Sequence, residues 1–487
     1  MATGISKTKW NGKRPHQSKS SLPDAVQGMS LSYEGKRQEC EILATPPVDL
    51  QLLWTGGRDG AAHATNGLYF GENLHILASL LTDASVRGQV RLVYIDPPFA
   101  TNSVFQSRGQ VDAYSDLLAG PHYIEFMRER LVMLRELLAD DGSIYVHLDD
   151  NMAFHVKVIM DEVFGSKNFR NWITRKKCNP KNYTRNAYGN IADYILFYTK
   201  SDRYVWNRQA EPWTAERRPK EYQYLEPGTG RRYMKVPVHA PGVRNGETGK
   251  PWRGMLPPPS KHWQYTPATL DAMDARGEIY WSPSGNPRRK VYLDESKGIS
   301  VQDVWLDFRD AHNQNIMITG YPTEKNPDLL ARIIRASSNE GDIVLDCSSG
   351  SGTALGVAAE LGRRWIGIDN SAEAIGTTLR RFGKGLERMG DYVPASRKKR
   401  KSEPPPLFSQ LGSPIPSAPL HGRTRISDFA LYTTAPYMGE LASTLADWEN
   451  WQGAISPSTE HENIRRHPAK RTKRAELGQL SLLDSDN

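Results

Sequence analysis

The chain has 487 residues, enough for one large domain with additions or for two to three domains. Its 38% hydrophobic content, with 12 Trp and 21 Tyr, supports a packed core, and its net charge of +8 suits a polyanionic partner without demanding one. Three cysteines (Cys40, Cys178 and Cys347), far apart and without ligand spacing, exclude a disulfide framework and a structural zinc site; no apolar run is long enough for a membrane span or a signal peptide, so a soluble intracellular protein with no metal is expected.

Residues 1–45 are rich in Lys, Arg, Ser and Gln without apolar periodicity, and are expected to be a disordered basic arm. From Leu68 the chain reads as a short strand, a glycine turn at Gly71-Glu72, and a helix beginning at Asn73. The next apolar run, Leu92-Val93-Tyr94-Ile95, lacks alternation, as in a strand covered on both faces. It stops at Asp96-Pro97-Pro98-Phe99, because two prolines cannot donate to a ladder. Asp96 and Phe99 are thereby placed at the carboxyl end of a strand, where open α/β sheets bind ligands.

A helix from Tyr123 to Leu138, a strand over Ser143–Leu148, a helix from Asn151 to Phe164 and a strand within Asn190–Lys200 continue the alternation, predicting a doubly wound parallel sheet. His147 is expected to be a satisfied structural histidine. Between the last two elements, Arg175, Lys176 and Lys177 lie in a basic stretch without acids, a candidate DNA-facing surface. From Trp206 the rhythm dissolves into Pro, Gly, Trp and basic residues, including Arg244 and Arg253. So long a stretch without periodicity is functional or disordered, and its tryptophans argue for function.

Rhythm returns at Gly341-Asp342-Ile343-Val344-Leu345-Asp346-Cys347-Ser348-Ser349-Gly350-Ser351-Gly352-Thr353, followed by a helix and by the strand Trp365–Asp369. A glycine turn between strand and helix, with an acid about twenty residues on, describes a nucleoside site of Rossmann type. Asp346 ends its strand with a negative charge that would repel a pyrophosphate and suits a cation, which argues against a nicotinamide dehydrogenase.

Asp96-Pro97-Pro98-Phe99 and the glycine motif together resemble the β class of S-adenosylmethionine-dependent DNA amino methyltransferases, from about Leu68 to Gly385. The resemblance implies a Rossmann-like catalytic sheet, S-adenosylmethionine as cofactor, double-stranded DNA as partner, and the exocyclic amine of adenine as target, with cytosine-N4 the alternative. Asp96 and Pro97 would accept the amine N–H groups, beside Pro98, and Phe99 would stack on the base. Asp346, Ser348, Gly350, Gly352, Thr353 and Asp369 would hold the cofactor. Glu72 matches the acid that meets the cofactor's adenine. Thr323 and Lys325 match a Thr-x-Lys-Pro segment, Lys325 facing the cofactor carboxylate. Three positions depart from the family pattern: Cys347 and Ser348 stand where Pro and Phe are usual, and Asn326 where Pro is usual, leaving a degenerate DNA-binding relative as a further alternative. The expected layout is an arm (1–45), a catalytic half (46–205), an irregular target-recognition insert (206–314), a cofactor half (315–395), a basic and Pro-rich linker (396–425), and a small appendage with a tail (426–487). The resemblance also implies a bacterial or phage-type cytoplasmic enzyme, and leaves a restriction or defence partner and a homodimer open.

Overall fold

The computed structural model describes residues 30–56, 66–98, 104–106, 112–115, 120–180, 186–308, 317–321, 324–388 and 426–453. Phe99, Thr323 and most of the arm, linker and tail lie outside the described residues. The chain divides into two compact units, Met1–Met438 and Gly439–Asn487; in the second, Ala442–Gly453 is a helix.

The strands that matter here are β1 (Gln51–Thr55), β2 (Gly67–Phe70), β3 (Val90–Ile95), β4 (Leu138–Leu148), β5 (Phe169–Lys176), β6 (Ala192–Thr199), β7 (Tyr224–Leu225), β8 (Arg232–Pro237), β9 (His239–Pro241), β10 (Lys261–Trp263), β11 (Ile279–Trp281), β12 (Pro287–Tyr292), β13 (Val304–Trp305), β14 (Ile343–Asp346), β15 (Arg364–Asp369) and β16 (Ala430–Thr433). The principal helices of the first unit are α1 (Asn73–Thr82), α2 (Pro121–Leu137), α3 (Ala153–Phe164), α4 (Pro267–Ala275), α5 (Pro327–Ser337), α6 (Thr353–Glu360) and α7 (Ala372–Lys384).

Ten strands form one sheet in the order β1-β16-β2-β15-β14-β3-β4-β6-β5-β13. The pairs from β16 through β2, β15, β14 and β3 to β4 are parallel. The sheet is mixed rather than wholly parallel, since β6 runs antiparallel to both β4 and β5. β4 also begins earlier than its apolar run, because Leu138 already pairs with Val90 ahead of a bulge. The core is continuous between sheet and helices: Ile76, Leu77, Leu131, Val146, Ile159 and Leu345 are all fully buried in one cluster. Each such side chain contributes about 1.5–3 kcal/mol by leaving water.

Two terminal regions differ from expectation. Residues 30–45 dock on α2: Ile42 is fully buried, and Arg37 pairs with Glu129 at 2.6 Å. Residues 430–433, expected in the appendage, are instead the parallel neighbour of β2 in the central sheet. A strand of four residues carries no usable periodicity, and its partner is hundreds of positions away.

The insert is also more ordered than its composition implies. β7, β8, β12 and β11 form a four-stranded sheet in that order, and β9 pairs with β10. Its core is small and tryptophan-rich: Val238, Trp252, Trp263, Leu270, Met273 and Ile279. Trp252 stacks on Trp281 at 5.2 Å and its indole N–H donates to Asp271 at 2.9 Å. Strands of two to six residues with Gly and Pro between them hide their period from sequence reading.

Candidate active site at the carboxyl edge of the sheet

Parallel pairing decides which side chains meet. Phe70 is in register with Asp369, Asp346 with Gly367, and Leu345 with Val93. The chain therefore leaves β2, β15, β14 and β3 on one sheet edge, and Glu72, Asp369, Asp346 and Asp96 gather there. Strand-end convergence of this kind is where ligands sit in open α/β sheets.

Asp96 follows β3 directly, ahead of Pro97 and Pro98, and its two oxygens differ. Oδ2 accepts from the Lys325 ammonium. Oδ1 is buried and has no hydrogen-bond partner. Lys325, expected toward a cofactor carboxylate, pairs with Asp96, and both side chains are largely buried. A buried carboxylate oxygen left unmatched costs about 1–3 kcal/mol or more, so it marks a place for a donor.

The glycine loop follows β14. Ser348 N–H donates to Asp346 Oδ1 at 3.1 Å, and Gly350 N–H donates to Asp369 Oδ2 at 2.8 Å. Burial pushes the Asp346 carboxyl up to about 8; the Ser348 N–H opposes this, and the carboxylates of Asp96 and Asp369 add to it. Burial also raises Asp369, against the N–H groups of Ser371 and Gly350. Gly350 and Gly352 have φ of 50° and 69°, and a Cβ on Gly352 would meet Thr378 at 2.7 Å. Only glycine fits at Gly352, which begins α6 with Thr353 at its first turn. The Ser349 hydroxyl is buried without a partner, a second orphaned polar atom at this edge after Asp96 Oδ1.

These features fit S-adenosylmethionine, whose sulfonium and ammonium are cationic. Asp346, Asp369 and the loop from Ser348 to Thr353 are the residues that would hold it. Cys347 does not intrude. Its side chain belongs to the main core, burial pushes its thiol up to about 12, and its carbonyl accepts from Asn73 Nδ2 at 2.9 Å. Asn326 has a local reason as well. Its side chain caps α5 by accepting from Asp328 N–H at 2.9 Å, and Pro327 takes the first helical position. Glu72 caps α1 through His75 N–H at 3.2 Å and pairs with Arg130, so its carboxylate is engaged within the protein.

Two buried polar assemblies support the edge, and neither set of pairings was read from sequence, although His147 was expected to be a structural histidine. Arg381 on α7 pairs with Glu324 and donates to Ser351 O at 2.7 Å and Thr353 Oγ1 at 2.9 Å. Glu324 also accepts from Thr319 N–H at 2.9 Å. The pair thus clamps the glycine loop to the segment carrying Lys325. The second assembly crosses β3, β4, β6 and β5. Tyr94 OH meets His147 Nδ1 at 2.8 Å, His147 Nε2 meets Asp193 at 2.9 Å, and Arg175 donates to Asp193 at 2.7 Å.

The expectation that Arg175 faces DNA is therefore corrected. It is fully buried, paired with Asp193, and donates to Phe308 O at 2.7 Å, because a guanidinium at this register closes a buried ladder. Lys176 and Lys177 lie half-buried at the end of β5 and just beyond it. Arg244 is exposed. Arg253 is tied to Asp271 at 3.1 Å and Asp274 at 2.7 Å, which neutralises the charge expected to meet phosphate. Among the described residues no group of His, Cys, Asp and Glu is arranged to hold a metal, and no helix is long and apolar enough to cross a membrane.

The family model described as DNA methylase, covering N6 and N4 methyltransferases, matches residues 90–380. A type II methyltransferase, M.EcaI of Enterobacter cloacae, is 44% identical over 412 residues, covering 83% of this chain and 90% of its own. M.KpnI of Klebsiella pneumoniae is 26% identical over 364 residues, covering 68% and 86%. Among solved structures, the cytosine-N4-specific PvuII DNA methyltransferase is similar with a TM-score of 0.35 at 15% identity, covering 65% of this chain and 86% of that one.

Proposed function

Because the chain belongs to the N6/N4 DNA methylase family, a family of S-adenosylmethionine-dependent amino methyltransferases, we propose that it methylates the exocyclic N6 amine of adenine at a specific site in double-stranded DNA. The observation that carries this reading is Asp96, with one oxygen held by Lys325 and the other buried without a partner.

An exocyclic amine is a weak nucleophile because its lone pair is delocalised into the ring. Asp96 Oδ1 and the Pro97 carbonyl each accept one N–H, drawing the nitrogen toward tetrahedral geometry, and the carboxylate takes up the proton that nitrogen sheds. A charge-assisted hydrogen bond is the stronger kind. Lys325 fixes the carboxylate's orientation. When bound, S-adenosylmethionine supplies the electrophilic methyl group. The base must leave the duplex to reach Asp96, at a cost of a few kcal/mol that contacts in the pocket offset; Phe99 is the proposed stacking surface.

Adenine is preferred over cytosine because the tetrapeptide begins with Asp, the residue usual for adenine in this family, rather than Ser. Incubation with labelled S-adenosylmethionine and unmethylated genomic DNA, followed by nucleoside mass analysis, tests this. N6-methyladenine is the expected product; N4-methylcytosine would keep the chemistry and overturn the base. A restriction or defence-system partner is proposed as well, since similar proteins include Mod subunits of type III restriction-modification enzymes.

A further inference from the structure

The insert carries many cations: carboxylates hold some of them, while others, Arg232, Arg244 and Lys297 among them, have none at ion-pair distance among the described residues. Arg231 is matched by Asp294 and Glu295, Arg253 by Asp271 and Asp274, Arg276 by Glu278, and Lys290 by Glu226. Their charges are neutralised in place. Lys235, Arg288 and Lys261 have no carboxylate at ion-pair distance among the described residues, although they lie on the same small scaffold.

These three are not scattered. Lys235 on β8 stands opposite Lys290, and Arg288 on β12 stands opposite both Pro237 and Tyr280, so Lys235 and Arg288 share one face of the four-stranded sheet. The other face covers the tryptophan core through Ile279. On the outer face the Lys235 ammonium sits between two rings, 3.6 Å from the centre of Tyr224 and 3.4 Å from that of Tyr280. Cation–π contact orients the ammonium without cancelling its charge. Lys261, exposed on β10, stands opposite Pro241 on β9, the strand that follows β8 after one residue, and burial, then Lys261 and Arg288, hold the imidazole of His239 below its ordinary value. The acid on this face, Glu226, is held by Lys290, and it leaves Lys235, Arg288 and Lys261 as like charges without carboxylates of their own. Such an arrangement costs free energy unless an anion is bound, and a row of cations interleaved with tyrosines matches a sugar–phosphate strand.

We propose that the outer face of the insert sheet, through Lys235 and Arg288, together with Lys261 on the adjoining β9–β10 ladder, grips the phosphate backbone of DNA as a sequence-independent anchor, while the neutralised arginines of the insert contribute nothing to that anchor. The proposal rests on the reading of DNA as substrate. The phosphates replace the missing carboxylates, and each one neutralised releases a counterion, so the anchor is read in the salt dependence of binding.

The test uses the full chain and a fluorescent duplex, with affinity measured across a salt series and S-adenosylmethionine affinity measured on the same preparations. Each phosphate contact contributes about 0.9 to the slope of log affinity against log salt. The combined variant Lys235→Gln, Arg288→Gln, Lys261→Gln is expected to lower that slope by about 2–3 and to weaken binding at least about tenfold in low salt, with cofactor affinity unchanged. Arg288→Glu, a single change on an exposed side chain, is expected to weaken duplex binding in the same direction. Arg276→Gln is expected to leave the slope as it was. An unaltered slope in the triple variant, with cofactor still bound, overturns the anchor and leaves the methyltransferase reading standing. Absence of salt-dependent duplex binding by the unsubstituted protein overturns both.

Discussion

His147 and Asp193 face one another across β4 and β6 with Nε2 2.9 Å from the carboxylate, in the middle of a buried ladder that begins at Tyr94 and ends at Arg175. On the other side of the ring, His147 Nδ1 lies 2.8 Å from the Tyr94 hydroxyl. Burial raises the Tyr94 phenol well above its ordinary value, so it stays a donor. Burial works against the Asp193 charge, yet His147 and Arg175 hold its carboxyl far below the usual carboxylate range. Tyr94 lies two residues before Asp96, so the ladder ties the end of β3 to three further strands.

Removing one end of this ladder strands a buried charge. Arg175→Gln is expected to destabilise the protein by about 3–5 kcal/mol in urea unfolding, the scale for breaking a buried pair. Its duplex-binding salt slope should match that of the unsubstituted protein. A lowered slope would return Arg175 to the DNA surface.

Tyr94→Phe removes a single hydroxyl and leaves His147 Nδ1 without that partner, at a cost of about 1–3 kcal/mol. The expected kinetic signature is a lower kcat with S-adenosylmethionine affinity retained, because β3 carries Asp96 and not the glycine loop. Loss of cofactor affinity instead would place the ladder's influence on β14.

The Asp346 carboxyl, at about 8 in the folded chain, stands above its value near 4 when unfolded. A carboxyl raised by folding contributes stability while protonated: the contribution is whole below pH about 4 and is lost as pH rises through about 8. Thermal stability of the ligand-free protein is therefore expected to fall over that window, and Asp346→Asn to flatten the fall. Affinity for the cationic cofactor should rise over the same window, since binding favours the ionised form. Calorimetry at several pH values checks both signs together.

Gly352→Ala forces a Cβ to within 2.7 Å of Thr378 at a φ of 69°. Strain at such a position is worth about 1–3 kcal/mol. The expected result is weakened S-adenosylmethionine binding, measured by calorimetry, with secondary structure intact.

Sequence reading reached the parts of this site whose signals are local. Asp96-Pro97-Pro98 and the run Asp346 to Thr353 carry their strand ends and turns in adjacent residues, and parallel pairing brought them to one edge. What escaped it depends on distant pairing. Glu324 and Arg381 are 57 positions apart, and nothing in either segment announces the other. Arg175 sits in a run of basic residues that reads as surface, because the buried carboxylate that claims it lies on the next strand. The segment that carries Lys325 was legible, but the pairing of Lys325 with Asp96 followed only from the fold. The insert's outer face emerged once register showed which of its cations lack acids.

The central claim is that Asp96 accepts the target amine, and methyl transfer by Asp96→Ala, with cofactor affinity measured on the same preparation, tests it most directly. A general base of this kind is worth about 100-fold to 10,000-fold. The account predicts a loss of at least that lower size with S-adenosylmethionine still bound; transfer near the unsubstituted rate would contradict it.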